Sequence, residues 1–235
     1  MNHAIVSRGE WLEARTRLLA KEKALTRLRD ELAAERRALP WVRVEKEYVF
    51  DGPAGKQSLP ELFAGRSQLV VYHFMFGPDA EVGCKSCSFW ADSFNGIVGH
   101  LGARDVSFVA ISRAPLAKLQ AFARRMGWTF PWLSSGGSDF NYDYHVSFAA
   151  EQVVTGELTY NYAKVRTPLP DLPGVSVFFK DPRGDVFHTY SAYARGIDAL
   201  NAAYQYLDLA PKGRDEAGLS FSMTWVRFHD EYPQP

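Results

Sequence analysis

The stretch "SQLVVYHFMF", residues 67–76, constrains the fold most: it is a near-continuous apolar, β-rich run that Gly77 and Pro78 end. A run without polar alternation suits a central strand covered on both faces, not an edge strand with one wet side. A second run of the same kind, "VSFVAIS", spans residues 106–112. Between the two, Trp90, Phe94, Ile97, Val98 and Leu101 fall at helical spacing. Beyond the second run, "APLAKLQAFARRMG" reads as a helix with Pro115 near its start, and Leu116, Leu119, Phe122, Ala123 and Met126 form its apolar face. Strands alternating with helices imply an α/β domain with a partly parallel sheet covered on both faces.

The flanking segments complete this pattern. "YVFDGPAGKQSL" runs into a Gly/Pro-rich turn and out again, which predicts a hairpin, and "LPELF" predicts a single helical turn. "WTFPWLSS" is aromatic and extended, while residues 136–172 show no clear period and read as an insertion with short pieces of strand. "GVSVFF", the turn "KDPRGD" and "VFHTYSAY" predict a terminal hairpin, and "GIDALNAAYQYL" a closing helix. This gives a domain over residues 41–210, with a C-terminal tail over 211–235 whose aromatics need burial. Ahead of it, residues 1–40 form a helical extension. Ser7 and Glu10 make a capping box, and Trp11, Leu18, Leu25, Leu32 and Leu39 recur every seventh residue until Pro40. That stripe, widened by Leu12, Leu19 and Leu28, serves either packing on its own domain or a homodimer seam.

Charge and cysteine content narrow the functional classes. The 27 basic residues balance the 27 acidic ones, so the chain lacks the positive field that draws in nucleic acid or an anionic membrane. No apolar run approaches the roughly 18 residues of a spanning helix, and the charged start does not resemble a signal peptide. Two cysteines are too few for a secreted disulfide scaffold, so a soluble, cytoplasmic protein is expected, in a compartment where thiols stay reduced unless they are used.

Both cysteines, Cys84 and Cys87, lie in "GCKSCSFW", just after the first buried strand and at the start of a helical pattern. A thiol at a helix N-terminus faces unpaired N–H groups that favour thiolate, and Lys85 adds a positive charge. In this reading Cys84 attacks a substrate disulfide and Cys87, one turn on, resolves the mixed disulfide. A metal reading competes, because His100 follows Cys87 after twelve residues, as the third ligand of a zinc finger would. Arg104, Asp105 and Val106 stand where the fourth ligand belongs, so the finger is incomplete and no metal is expected. Two inert core cysteines are a further alternative. A thiol peroxidase is the nearest chemical rival. Peroxiredoxins carry a threonine three residues before the reactive cysteine, whereas here that residue is Glu81 before Cys84 and Cys84 before Cys87.

The stretch from "YVFDGPAGKQSLPELF" through "LVVYHFMF" to the cysteines resembles the thioredoxin-like fold in its peroxiredoxin-like or thiol-reductase-like form. More specifically, "GCKSCSFWADSFNG", "HLGARDVSFVAISRAPL", "RMGWTFPWLSSGGSDFN", "VFHTYSAYARG" and "YLDLAPKGRDE" are similar to the bacterial family catalogued as domain of unknown function 899, predicted to be dithiol-disulfide oxidoreductases. The similarity implies a thioredoxin-like sheet, Cys84 as nucleophile, Cys87 as resolving thiol, no cofactor, and a protein or small-molecule disulfide or thiol as partner. The sequence departs from the thioredoxin pattern at the cis-proline opposite the disulfide: Gly174 takes its place and Pro173 lies one residue earlier. The pair "KS" between the cysteines is neither Gly-Pro nor Pro-His, so it does not set the redox direction.

The remaining cleft candidates are Lys85, Trp90, Arg113, Trp132, Pro173 and His188. Arg113 follows the strand "VSFVAIS", at the carboxyl end of the sheet where ligands of open α/β folds bind. Trp128, Phe130 and Trp132 read as core aromatics or as a cleft wall, with Ser134, Ser135, Ser138, Asp139 and Asn141 supplying polar contacts. His188 and Tyr190 are expected on one face by the two-residue period, with His188 either structural or a proton-transfer group. A non-catalytic ligand-binding or dimerising module stays open beside the two enzymatic readings.

Overall fold

The computed structural model describes residues 3–233. The chain divides into two compact units, Met1–Pro40 and Trp41–Pro235. The first is helix α1, Arg8–Ala38, which starts as the capping box requires: the Glu10 N–H donates to Ser7 Oγ and the Ser7 N–H donates to the Glu10 carboxylate. Trp11, Leu18, Leu25, Leu32 and Leu39 are exposed along it. No described helix is long and apolar enough to cross a membrane.

The second unit runs β1 (Val42–Arg43), the hairpin β2 (Val49–Gly52) and β3 (Gly55–Ser58), then β4 (Gln68–His73). Helices α2 (Lys85–Ala91) and α3 (Phe94–Gly102) lead to β5 (Val106–Ser112), and α4 (Leu116–Arg125) leads to β6 (Trp132–Ser134). Residues 136–172 hold α5 (Phe140–Asp143), α6 (Ala150–Thr155), β7 (Leu158–Tyr160) and β8 (Ala163–Val165). The chain then forms β9 (Gly174–Lys180), β10 (Val186–Tyr193) and α7 (Ala202–Leu207).

Among the described residues β1 to β6, β9 and β10 form one sheet in the order β1-β10-β9-β4-β5-β6-β2-β3, while β7 and β8 pair apart from it. β4 is central: it runs parallel to β5 and antiparallel to β9. Its side chains therefore alternate between two packed faces. On one, Leu69 and Val71 join Val109, Ile111, Phe178, Leu62, Phe63 and Phe140. On the other, Tyr72 joins Cys87, Trp90 and Phe94 from α2 and α3, Leu119 and Phe122 from α4, and Tyr204 from α7. A parallel β4-helix-β5 unit, flanked beyond β4 by the antiparallel β9-β10 hairpin and its following helix, is the thioredoxin-like arrangement.

Four expectations change. The closing helix expected over "GIDALNAAYQYL" is a 3-10 helix at Ala194–Leu200 followed, after extended Asn201, by α7. The helical spacing from Trp90 to Leu101 covers two helices, not one, because the chain breaks at Asp92 and Ser93. There the Asp92 carboxylate accepts the Trp128 indole N–H, and the Ser93 hydroxyl donates to the Trp90 carbonyl. Residues 136–172 carry short helices besides short strands. Finally, His188 pairs with Phe178 and Tyr190 with Val177, so a β-bulge lies between them and the two side chains face opposite sides of the sheet. The tail lies on the helical face: Phe228 packs on Phe122, and Arg125 pairs with Asp230. Glu216 accepts from Tyr204, Trp225 and the Met223 backbone.

Candidate active site

β4 ends at His73, and the chain continues through Phe74–Phe76 before looping back to the cysteines. Met75 ties both of them to the strand end. Its carbonyl accepts the Cys84 N–H at 3.1 Å, and its own N–H donates to Cys87 Sγ at 3.4 Å. Gly83 makes this approach possible, since a Cβ there would lie 2.8 Å from the Phe74 ring. Cys84 then occupies the N-cap of α2 and the Ser88 hydroxyl donates to its carbonyl, so Cys87 follows one turn into the helix.

The two cysteines lie 4 Å apart, both as free thiols. Cys84 is half-buried and Cys87 is fully buried at 1% exposure. This asymmetry divides their acidity. A hydrogen bond from the Cys87 thiol, helped by the N–H groups of Cys87 and Ser86, pulls Cys84 down to about 6 against the cost of burial. Burial first, and then the neighbouring Cys84, push Cys87 well above the usual thiol range. Because α2 has only seven residues, these local donors rather than a long helix dipole hold the Cys84 thiolate.

Tyr72 completes the site from beneath. It is 1% exposed, and among the described residues its hydroxyl has no hydrogen-bond partner. Leaving a buried hydroxyl unpaired costs about 1–3 kcal/mol. The groups it faces are the cysteines, chiefly Cys87. Sequence reasoning missed this residue, because within "LVVYHFMF" a tyrosine reads as one more core aromatic.

Cys84 opens onto a groove of about 340 Å³ lined by Met75, Pro78, Val82, Arg113, Pro170 and Asp171. Arg113 therefore lines the same groove as Cys84. Its guanidinium is held in a fork: Nε and Nη2 donate to the Asp171 carboxylate at 2.8 and 3.0 Å, and Nη1 donates to the Tyr142 hydroxyl. Asp171 also accepts from the Ser147 hydroxyl. The insertion thus supplies the opposite wall.

The other candidates do not line this groove. Lys85 lies near Glu231 at 3.5 Å and over the Phe228 ring, both in the tail. Trp90 is buried with its N–H on the Ile197 carbonyl, and Trp132 is buried with its N–H on Ser112 Oγ. Pro173 offers its carbonyl to the Tyr160 hydroxyl, and no peptide bond among the described residues is cis. Ser134, Ser135 and Asn141 are buried, with the Ser134 hydroxyl on the Ala114 carbonyl and the Ser135 hydroxyl on the Asn141 side chain. Asp139 pairs with Lys46.

His188 lies on the face away from the cysteines, packed on Phe178 and Tyr144. It ends a buried polar chain: His188 Nε2 to Ser191 Oγ at 2.8 Å, Ser191 to Ser176 at 2.8 Å, and Ser176 to His73 Nε2 at 2.9 Å. The Tyr190 carbonyl also meets His188 Nε2, which must therefore carry the proton. Through the Ser191 and Ser176 hydroxyls the chain reaches His73 Nε2. Burial keeps His73 neutral, with its pKa held down to about 3.

No curated protein is similar to the chain in sequence. Among solved structures, peroxidoxin BcpB from Mycobacterium tuberculosis is similar at 17% identity, with 72% of this chain and 97% of that one covered and a TM-score of 0.47. Peroxiredoxin Q from Xanthomonas campestris is similar at 17% identity over 67% of this chain and 89% of that one, with a TM-score of 0.43. A protein from Chlorobium tepidum assigned as the thiol:disulfide interchange protein DsbE is similar at 14% identity over 71% and 94%, with a TM-score of 0.41. The profile of one family, described as "Bacterial protein of unknown function (DUF899)", matches residues 1–232, so the chain belongs to that family.

Proposed function

We propose that this protein is a thiol-disulfide oxidoreductase in which Cys84 is the nucleophile and Cys87 the resolving thiol. One observation carries the reading: a half-exposed, acidified thiol at the mouth of a groove lies 4 Å from a fully buried, neutral one. Cys84 as thiolate attacks one sulfur of a substrate disulfide, forming a mixed disulfide and releasing the other sulfur as thiolate. Cys87 then loses its proton to water and attacks Cys84 Sγ. The Cys84–Cys87 disulfide forms, the second substrate thiolate leaves, and the substrate has gained two electrons. The run backwards oxidises a dithiol.

Arg113, which lines the groove that Cys84 opens onto, favours a second reading, reduction of a peroxide by the Cys84 thiolate, because a guanidinium in that groove can hold a peroxide oxygen. Against it, Glu81 stands where a peroxiredoxin has its activating threonine. Turnover decides between them. The reduced protein is mixed with oxidised glutathione, with a peptide disulfide, or with hydrogen peroxide, and loss of free thiol is followed against time. Fast consumption of disulfides, with peroxide no faster than an unactivated thiol, supports disulfide exchange. The opposite order supports the peroxidase.

A further inference from the structure

Two donors converge on the sulfur of Cys87. The Met75 N–H already donates to it at 3.4 Å. The Tyr72 hydroxyl faces the same sulfur, fully buried and without any other partner among the described residues. The neighbouring Tyr160 hydroxyl is not comparable, because it donates to the Pro173 carbonyl at 2.6 Å and accepts the Ala194 N–H at 2.8 Å. A buried hydroxyl with nothing to bond costs stability unless some state of the protein supplies an acceptor. The Cys87 thiolate is such an acceptor, and it exists only while a disulfide is being made or broken.

We propose that Tyr72 O–H and Met75 N–H form a two-donor cradle for the Cys87 thiolate, so that Tyr72 accelerates every step in which Cys87 leaves or attacks; this rests on the disulfide-exchange reading. In the reductive direction an external thiolate attacks Cys84 Sγ of the Cys84–Cys87 disulfide. A new S–S bond forms to Cys84, the old one breaks, and its electron pair departs on Cys87 Sγ. Tyr72 donates a hydrogen bond to that charge and keeps its own proton, since burial holds its phenol well above the usual range. The Cys87 thiolate then takes a proton from water. A second external thiolate attacks the external sulfur of the mixed disulfide and frees Cys84, leaving the protein reduced by two electrons and the thiols joined as a disulfide. The cradle does for sulfur what preorganised donors do for an oxyanion: it meets charge where charge develops.

Tyr72→Phe removes the hydroxyl and keeps the ring. The test uses the full chain, its oxidised form reduced by dithiothreitol in stopped flow, its Cys84–glutathione mixed disulfide followed as it closes to the Cys84–Cys87 disulfide, and its potential set by glutathione equilibration. At neutral pH neither ground state carries a Cys87 thiolate, so both rates are expected to fall together by about tenfold or more. The potential should then move by less than the roughly 30 mV that a tenfold change in equilibrium constant requires. In a Cys87→Ser background, attack of Cys84 on an aromatic disulfide should be unchanged by Tyr72→Phe. If Tyr72→Phe fails to fold, fluorotyrosine at position 72, a stronger donor, should raise both rates. Rates within twofold of wild type in either variant overturn the cradle while the exchange reading stands. A potential shift without a paired loss of rate makes Tyr72 structural and overturns it as well. A wild-type protein that never forms the Cys84–Cys87 disulfide overturns the exchange reading, and the cradle with it.

Discussion

Tyr72 and His73 are neighbours in β4, face opposite sides of one sheet, and are both fully buried, yet the two sides use burial differently. On the His73 side a line of hydrogen bonds runs through Ser176 and Ser191 to His188, and ring faces of Phe140 and Tyr144 stack on His73. On the Tyr72 side the polar atoms are two sulfurs and a hydroxyl left unpaired, with a groove leading to solvent through Cys84. The contrast teaches that burying polar groups does not mark a site by itself. An unpartnered atom does not mark it either, since His73 Nδ1 is also buried without a hydrogen-bond partner among the described residues; what marks the site is such a group beside a reactive sulfur that opens to solvent.

The largest effect expected from breaking this contrast comes from Cys84→Ser. It should lower disulfide exchange by about a thousandfold or more, because a serine hydroxyl is not ionised near neutrality and does not form the mixed disulfide. Folding, followed by circular dichroism, should be unaffected. Next comes the groove wall. Asp171→Ala leaves the nearly buried Arg113 and the Ser147 hydroxyl without their carboxylate and should cost about 3–5 kcal/mol in a denaturant titration. If it costs nothing, the fork is not what holds the insertion against the sheet.

Acid should weaken the fold from the histidine side. Below the ordinary histidine value of 6.5 the unfolded chain binds a proton at position 73, whereas the native state refuses it until about 3. Stability therefore falls with falling pH between those values, by about 1.4 kcal/mol per unit for one such proton. His188, lowered by burial too, adds to the same trend. His73→Phe should flatten the slope, and denaturant titrations at stepped pH measure it. From the thiol side, alkylation of Cys84 should rise with pH through about 6 and then level, as the thiolate fraction saturates. Cys87→Ala removes the largest contribution and should move the midpoint toward the ordinary cysteine range. Lys85→Ala should change that midpoint least, within about twofold in rate at any pH, because exposed charges pair weakly and this one is shared with Glu231.

The sequence made some of this legible because local chemistry and tertiary role agree there. "VSFVAIS" became β5 residue for residue, Ser7 and Glu10 capped α1, and the cysteine pair stood at the start of its helix. Arg113 follows β5 and lines the groove that Cys84 opens onto, because the end of a parallel strand is where open α/β sheets place their openings. The rest depended on contacts that period and composition do not encode. The bulge between His188 and Tyr190 reverses a face without any glycine to announce it. Residues 136–172 form helices of four and six residues, too short for a periodic signal. Lys85 looked like a partner for the thiolate, but the tail more than 140 positions away supplies its contacts. Trp90, Trp132 and Pro173 satisfied their polar atoms elsewhere, and Tyr72 hid within a run of core residues.

Disulfide exchange through Cys84 and Cys87 is tested most simply by a thiol count of the protein across glutathione ratios, with mass spectrometry of the peptides at each step. One reversible, two-electron transition is expected, in which Cys84 and Cys87 join to each other and the protein keeps its fold. Two thiols that remain separate at every ratio, or that oxidise only to glutathione adducts without closing, would contradict it.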